Sequence, residues 1–175
     1  DPAISGKAVY WIADANYRLK KMDNAISGYN DFLVLSSTLA PGLKDEAHYN
    51  IGYAYLSKNE KGKAIESFRT YIQSNPENIQ KKADAFMRIA DAYYVSKENE
   101  QAVKYYKEAL TLKAGYEDQA LYYMANTYGL MQGEMNNKIK NLLDIVTNYK
   151  DSKYLLISIK EIADGYKFQG ELEKA

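Results

Sequence analysis

The sequence contains no cysteine, one histidine and three prolines in 175 residues. Without cysteine there are no disulfides, no thiolate metal sites and no thiol nucleophile, and the absence fits a reducing and an oxidising compartment equally. His48 has none of the matching partners that a metal centre or an activated nucleophile requires. A glycine-rich phosphate loop is missing too: Gly62-Lys63 lacks the upstream glycine and the following Ser/Thr. Acidic pairs such as Asp45-Glu46 sit where helices start and read as dipole-complementing, capping carboxylates. These absences leave an enzymatic reading without residues, and no cofactor or metal is expected.

Charge of one sign is also lacking. Twenty-three basic side chains balance 23 acidic ones, and the basic runs extend only to pairs, at Lys20-Lys21 and Lys81-Lys82. Nucleic acid is therefore not an expected partner, because tracking phosphates requires clustered Lys and Arg. No apolar run approaches the roughly 20 residues that span a bilayer, so no membrane span is expected. The opening residues, DPAISGKAVYW, do not have the make-up of a signal peptide, although a leader removed beforehand is compatible with them.

Present instead is tyrosine, 18 copies of it, and a period. The small residues Ala13, Gly52, Ala90, Ala125 and Ala163 follow one another at offsets of 39, 38, 35 and 38, and all but the first are followed three positions later by tyrosine. About twelve residues after the small residue comes an alanine with isoleucine or valine, as in Ala25-Ile26, Ala64-Ile65 and Ala102-Val103. Within each unit apolar residues recur every three and four positions, first in runs such as Ala47, Ile51, Tyr55 and then in runs such as Ala64, Phe68, Tyr71. Between them lie polar turns, among them Asn59-Glu60-Lys61-Gly62 and Lys97-Glu98-Asn99-Glu100. The pattern predicts an all-α solenoid of antiparallel helix hairpins forming a single array over 1–175, with repeats at 6–44, 45–82, 83–117, 118–155 and an incomplete 156–175.

These residues resemble the tetratricopeptide repeat (TPR). The likeness is clearest in Gly52, Tyr55, Ala64, Phe68 and Pro76, and in Ala90, Tyr93, Ala102, Tyr106 and Ala109. It implies a right-handed superhelix in which the small residue lets two helices approach while large ones fill the junction with the next hairpin. The usual period is 34, so the longer offsets imply extended connections, for example over 36–42 and 148–152. Asn16 stands where the first unit's tyrosine is expected. Lys138 replaces the fourth unit's second-helix alanine after a one-residue insertion, from which looser packing of that hairpin is expected. His48 falls at a position of large packing side chains and reads as structural. Repeats lengthened in this way are similar to those of bacterial envelope proteins, which suggests a periplasmic or outer-membrane-associated place over a cytoplasmic one.

What the resemblance implies about function is an interaction scaffold, not an enzyme, whose concave face, lined by first helices, holds a peptide segment or partner helix of another protein. The aligned groove residues are Tyr10, Trp11, Asp14 and Tyr17; then Tyr49, Asn50 and Tyr53; then Met87, Arg88, Asp91 and Tyr94; then Tyr122, Tyr123 and Asn126. Tyrosine suits such a face, giving large contact area at small rotamer cost and a hydroxyl for a peptide backbone. Asn50 and Asn126 are expected to pair with backbone amides, and Asp14, Asp91 and Glu46 to favour a ligand with Lys or Arg. The Lys/Asn clamp for a terminal carboxylate that one subfamily carries is lacking: Tyr10 and Asp14 stand there, and Asp84 lies beside Arg88. An alternative is a ligand-sensing or glycan-handling module, since aromatic faces with nearby carboxylates also stack on sugars. Ala175 aligns within the second helix of the fifth hairpin, so the array is expected either to continue or to self-associate through an uncapped face carrying Ile159, Ile162, Ala163 and Tyr166.

Overall fold

A computed structural model describes residues 2–35 and 41–174. Among the described residues there are nine α-helices and no strand: α1 (Pro2–Arg18), α2 (Met22–Leu35), α3 (Pro41–Ser57), α4 (Lys61–Gln73), α5 (Ile79–Val95), α6 (Asn99–Thr111), α7 (Glu117–Gly129), α8 (Met135–Asn148) and α9 (Leu155–Phe168), followed by a 3₁₀ turn at Leu172–Lys174. They form two compact units, one ending at Asn78 and the other starting at Ile79. Most of the connection expected over 36–42 lies outside the described residues. Its last two residues, Pro41 and Gly42, already belong to α3, as proline's fixed φ and missing N–H suit a first helical position.

The first unit is built from two hairpins, α1 with α2 and α3 with α4. Ala13 and Ala25 are wholly buried where α1 meets α2, and a Cβ on Gly28 would come within 2.9 Å of the Ala13 Cβ. In the second hairpin Gly52 receives the ring of Phe68, whose carbons lie 2.7–2.9 Å from where a Cβ would stand. The small anchor thus admits either a close backbone or a ring. Tyr10, Tyr29 and Phe32 pack with Ala47 and Ile51, so that α2 seats on α3.

The second unit repeats the scheme with α5 and α6, then α7 and α8, closed by α9. Tyr106, Leu121, Leu142 and Ile145 fill the space between the small residues Ala90, Ala102, Ala109, Ala120 and Ala125. Burying one such large side chain contributes about 1.5–3 kcal/mol.

The turns inside hairpins share one geometry. Lys20, Asn59, Lys97 and Gly170 adopt φ values of 61°, 59°, 62° and 77°. The N–H of each donates to the carbonyl three residues back, and the next N–H donates to the carbonyl five back, as in Lys97 N to Tyr94 O (3.0 Å) and Glu98 N to Tyr93 O (2.9 Å). This left-handed residue with paired backward bonds satisfies carbonyls that the helix end leaves open. The fourth hairpin departs from it. Its extra residue moves the positive φ to Gly133, and the turn closes through Met131 N to Tyr128 O and Glu134 N to Met131 O instead.

Lys138 packs against the first helix of that hairpin. Its aliphatic chain lies across Gly129, with Cδ 3.2 Å from where a Cβ would stand, and its Nζ reaches the Glu161 carboxylate at 2.8 Å. Tyr17, Leu56 and Tyr94 hold the place of Gly129 in the other hairpins. A large and small pair has exchanged helices, which keeps the volume constant.

Candidate interaction surface

On the first unit, a polar chain runs along the face formed by α1 and α3. Asp14 accepts from Arg18 Nε at 2.7 Å and from the Tyr29 hydroxyl at 3.4 Å. Asn50 Nδ2 donates to the Tyr29 hydroxyl at 3.1 Å and to that of Tyr10 at 3.5 Å. Burial, with the charges of Glu46 and Asp14 adding to it, pushes the Tyr10 phenol up to about 12. Burial first and then Asp14 push Tyr29 up as well. Both phenols are therefore neutral at physiological pH, and that of Tyr29 donates to Asp14. Beside this chain stands an aromatic group: Tyr49 and Tyr53 meet edge to face at 5.1 Å, both rest on Phe68, and Tyr49 also packs on Tyr71.

The second unit carries the same carboxylate-to-tyrosine bond. Asp91 accepts from the Tyr106 hydroxyl at 2.8 Å and from the Arg88 guanidinium at 2.7 Å. Arg88 Nε points to Asp84, 3.3 Å away and buried, so the guanidinium is held between two carboxylates. Burial raises the Asp91 carboxyl above the ordinary range, against the opposing effects of Arg88 and the Tyr106 hydroxyl. Tyr122 stacks on Tyr154 at 4.5 Å and donates to Glu161 Oε1 at 3.3 Å, while Tyr123 lies over Tyr106.

Two residues expected in the groove belong to the core. Met87 has no exposed surface and lies in the second unit's buried cluster, and Tyr10 keeps only 4%, packed on Tyr29 and Phe32 of α2. Trp11 is 57% exposed and meets the edge of Tyr10 at 5.1 Å. Tyr17, Tyr49, Asn50, Tyr53, Arg88, Tyr94, Tyr122, Tyr123 and Asn126 are half-buried. The Asn50 amide donors and the Asp14 and Asp91 carboxylates already have partners within the chain. Sequence reading missed residues that hold these groups, Tyr29, Tyr106 and Arg18, and those that hold Tyr122, namely Tyr154 and Glu161. A signal existed, because Asp14 to Tyr29 and Asp91 to Tyr106 share one spacing of 15 residues.

His48 is half-buried on α3, and burial holds its imidazole below the ordinary value against the opposing charge of Asp45. Among the described residues no group of His, Cys, Asp and Glu is placed to hold a metal ion, and no helix is long and apolar enough to cross a membrane.

Among curated proteins, none is similar to this chain in sequence. Solved structures resembling it include MamA, with a TM-score of 0.73 at 20% identity over 93% of this chain and 87% of that one. YrrB, described as a TPR protein with an unusual peptide-binding site, matches with a TM-score of 0.71 at 16% identity over 95% and 78%. BtubC from P. vanneervenii matches with a TM-score of 0.71 at 16% identity over 99% and 76%. Identities this low speak for the fold alone. Sequence profiles described as Tetratricopeptide repeat match residues 45–78 and 83–116, and a second set matches 7–35 and 119–152. With helix hairpins at each of these four segments, the chain belongs to the tetratricopeptide repeat family.

Proposed function

We propose that this protein is a non-enzymatic scaffold that holds a peptide segment or partner helix against the first-helix faces of its hairpins, through aromatic surface more than charge. The observation that carries this reading is the pairing of the polar groups there: Asp14, Asn50, Arg88 and Asp91 are engaged within the chain, while the rings of Tyr49, Tyr53, Tyr94 and Tyr122 keep an accessible side. Such rings offer contact area with little entropy to lose. The TPR family and the peptide-binding YrrB neighbour support the mode of action. A place in a bacterial envelope is part of the same reading and rests on the lengthened repeats.

The test is affinity capture from an envelope extract, comparing the chain with its Tyr53→Ala variant at low and high salt. Tyr53 is chosen over Tyr49 because fewer rings depend on it. A protein retained at both salt concentrations by the parent and lost with the variant, at unchanged circular dichroism, is the expected result. Capture that disappears in salt, or is identical for both chains, counts against aromatic recognition on this face.

A further inference from the structure

Within the second unit, an open groove of about 730 Å³ lies between the turn that joins α5 to α6 and the turn that joins α7 to α8. Its volume falls in the range of roughly 300–1,000 Å³ common to ligand clefts. Consecutive hairpins supply both sides. Leu130 and Met131 give the groove apolar surface, and Leu130 is 61% exposed. Glu98 and Glu100 from one turn and Glu134 from the other give it carboxylates, and Lys97 is the one cation among the described residues that line it.

The same turns elsewhere neutralise their glutamate from within. Glu60 of the second hairpin pairs with Lys58 at 2.8 Å and with Lys63, three residues on, at 2.6 Å. Glu171, in the turn after α9, pairs likewise with Lys174. The third and fourth hairpins put Gln101 and Asn137 in the place of Lys63, and Ser96 and Gln132 in the place of Lys58. Glu134 accepts from the Asn137 amide, which leaves its charge uncompensated. Among the described residues no ion pair joins Glu98 or Glu100. Nor do Glu98 and Glu134 cap the helices that they precede, since neither makes a side-chain bond to a free N–H there. Three carboxylates facing one ammonium thus leave two formal negative charges beside exposed apolar surface.

We propose that this groove seats an arginine of a partner protein, with its aliphatic stem on Leu130 and Met131 and its guanidinium among Glu98, Glu100 and Glu134. Arginine suits it better than lysine: the acceptors belong to two separate turns, and a guanidinium presents five donors in a planar fork and is more weakly hydrated than an ammonium. The described carboxylates are not grouped to hold a metal ion. A second copy of this chain has no arginine to spare, because Arg18, Arg69 and Arg88 are each engaged within the chain. The groove uses none of the rings proposed above for aromatic recognition, so the two sites are tested separately.

The probe is an acetylated and amidated ten-residue peptide that alternates arginine with leucine, compared with the same peptide carrying lysine, or the uncharged isostere citrulline, in place of arginine. The methyl resonance of Met131, one of five methionines, reports from the groove itself. The expected result at low salt is a shift of that resonance by the arginine peptide, with affinity at least tenfold above the citrulline peptide and threefold above the lysine peptide. Gln101→Lys, which restores the lysine of the second hairpin, and the double variant Glu98→Gln/Glu134→Gln should each weaken binding at least fivefold at unchanged circular dichroism, while Tyr53→Ala leaves it intact. An unmoved Met131 resonance, equal binding of the arginine peptide and either comparison peptide, or affinity indifferent to both charge variants overturns the proposal. So does sedimentation velocity showing that the chain self-associates and that Gln101→Lys disperses it.

Discussion

Tyr29 and Tyr106 occupy equivalent places, each with its ring in the core and its hydroxyl on a carboxylate of the facing helix. The geometry is tighter in the second unit, where the oxygen separation is 2.8 Å. Tyr106→Phe keeps the ring and removes a hydrogen bond to a charged acceptor, so an equilibrium urea titration is expected to show a loss of about 1.5–3 kcal/mol. The raised phenols also set a pH dependence. In the unfolded chain tyrosine ionises near pH 10, whereas in the folded chain burial holds Tyr10 up to about 12 and raises Tyr29 and Tyr106 as well. Their neutral forms are thus favoured by folding. The stability they contribute is complete below pH 10 and is lost as pH rises through the folded values. Urea midpoints measured from pH 8 to 12 are expected to fall steeply above 10, and less steeply in Tyr106→Phe.

At the scale of the element, the turn and the size exchange each lead to a substitution with a definite sign. Lys97 adopts a left-handed conformation that costs a residue with a Cβ about 1–2 kcal/mol, and the turn after α9 places Gly170 at this point. Lys97→Gly is therefore expected to stabilise, by about 1 kcal/mol once the greater backbone entropy of glycine is set against the relief. Thermal denaturation with a higher midpoint checks it. In the fourth hairpin, Gly129→Leu alone pushes the Lys138 chain away from Glu161, and Lys138→Ala alone leaves Gly129 uncovered. Together they recreate the large-and-small arrangement of Leu56 with Ala64. A double-mutant cycle is expected to give a favourable coupling of at least about 0.5 kcal/mol, and additivity would mean that the exchange carries no packing energy.

At the scale of the whole molecule, described buried residues within each unit cluster across helices that follow one another in sequence, as expected when each repeat contacts its neighbours. The cluster of the second unit draws on α5 to α9, while that of the first draws on α1 to α3 and has an uncovered helix face beside it. Native-state hydrogen exchange should therefore show greater protection for amides of α6 and α7 than for those of α1. Equal protection throughout would point to one cooperative unit in place of two.

Helix pairing and the family were legible in the sequence because both rest on local chemistry: apolar residues every three or four positions, a small anchor, and a turn at constant offset. The candidate surface was legible only in part. Helical spacing places Tyr10, Trp11 and Met87 on neighbouring sides of their helices, but whether a side is covered depends on which helix packs there, and the structure buries Tyr10 and Met87 while leaving Trp11 exposed. The same holds for Asp14, Asn50 and Asp91, each of which finds a tyrosine hydroxyl of a neighbouring helix within bonding distance. The sequence by itself determined the class of fold and the residues that repeat, because those follow from periodicity along one chain. The tertiary structure alone decided which repeated residues remain accessible and which polar groups are already satisfied, because both depend on what a neighbouring helix carries.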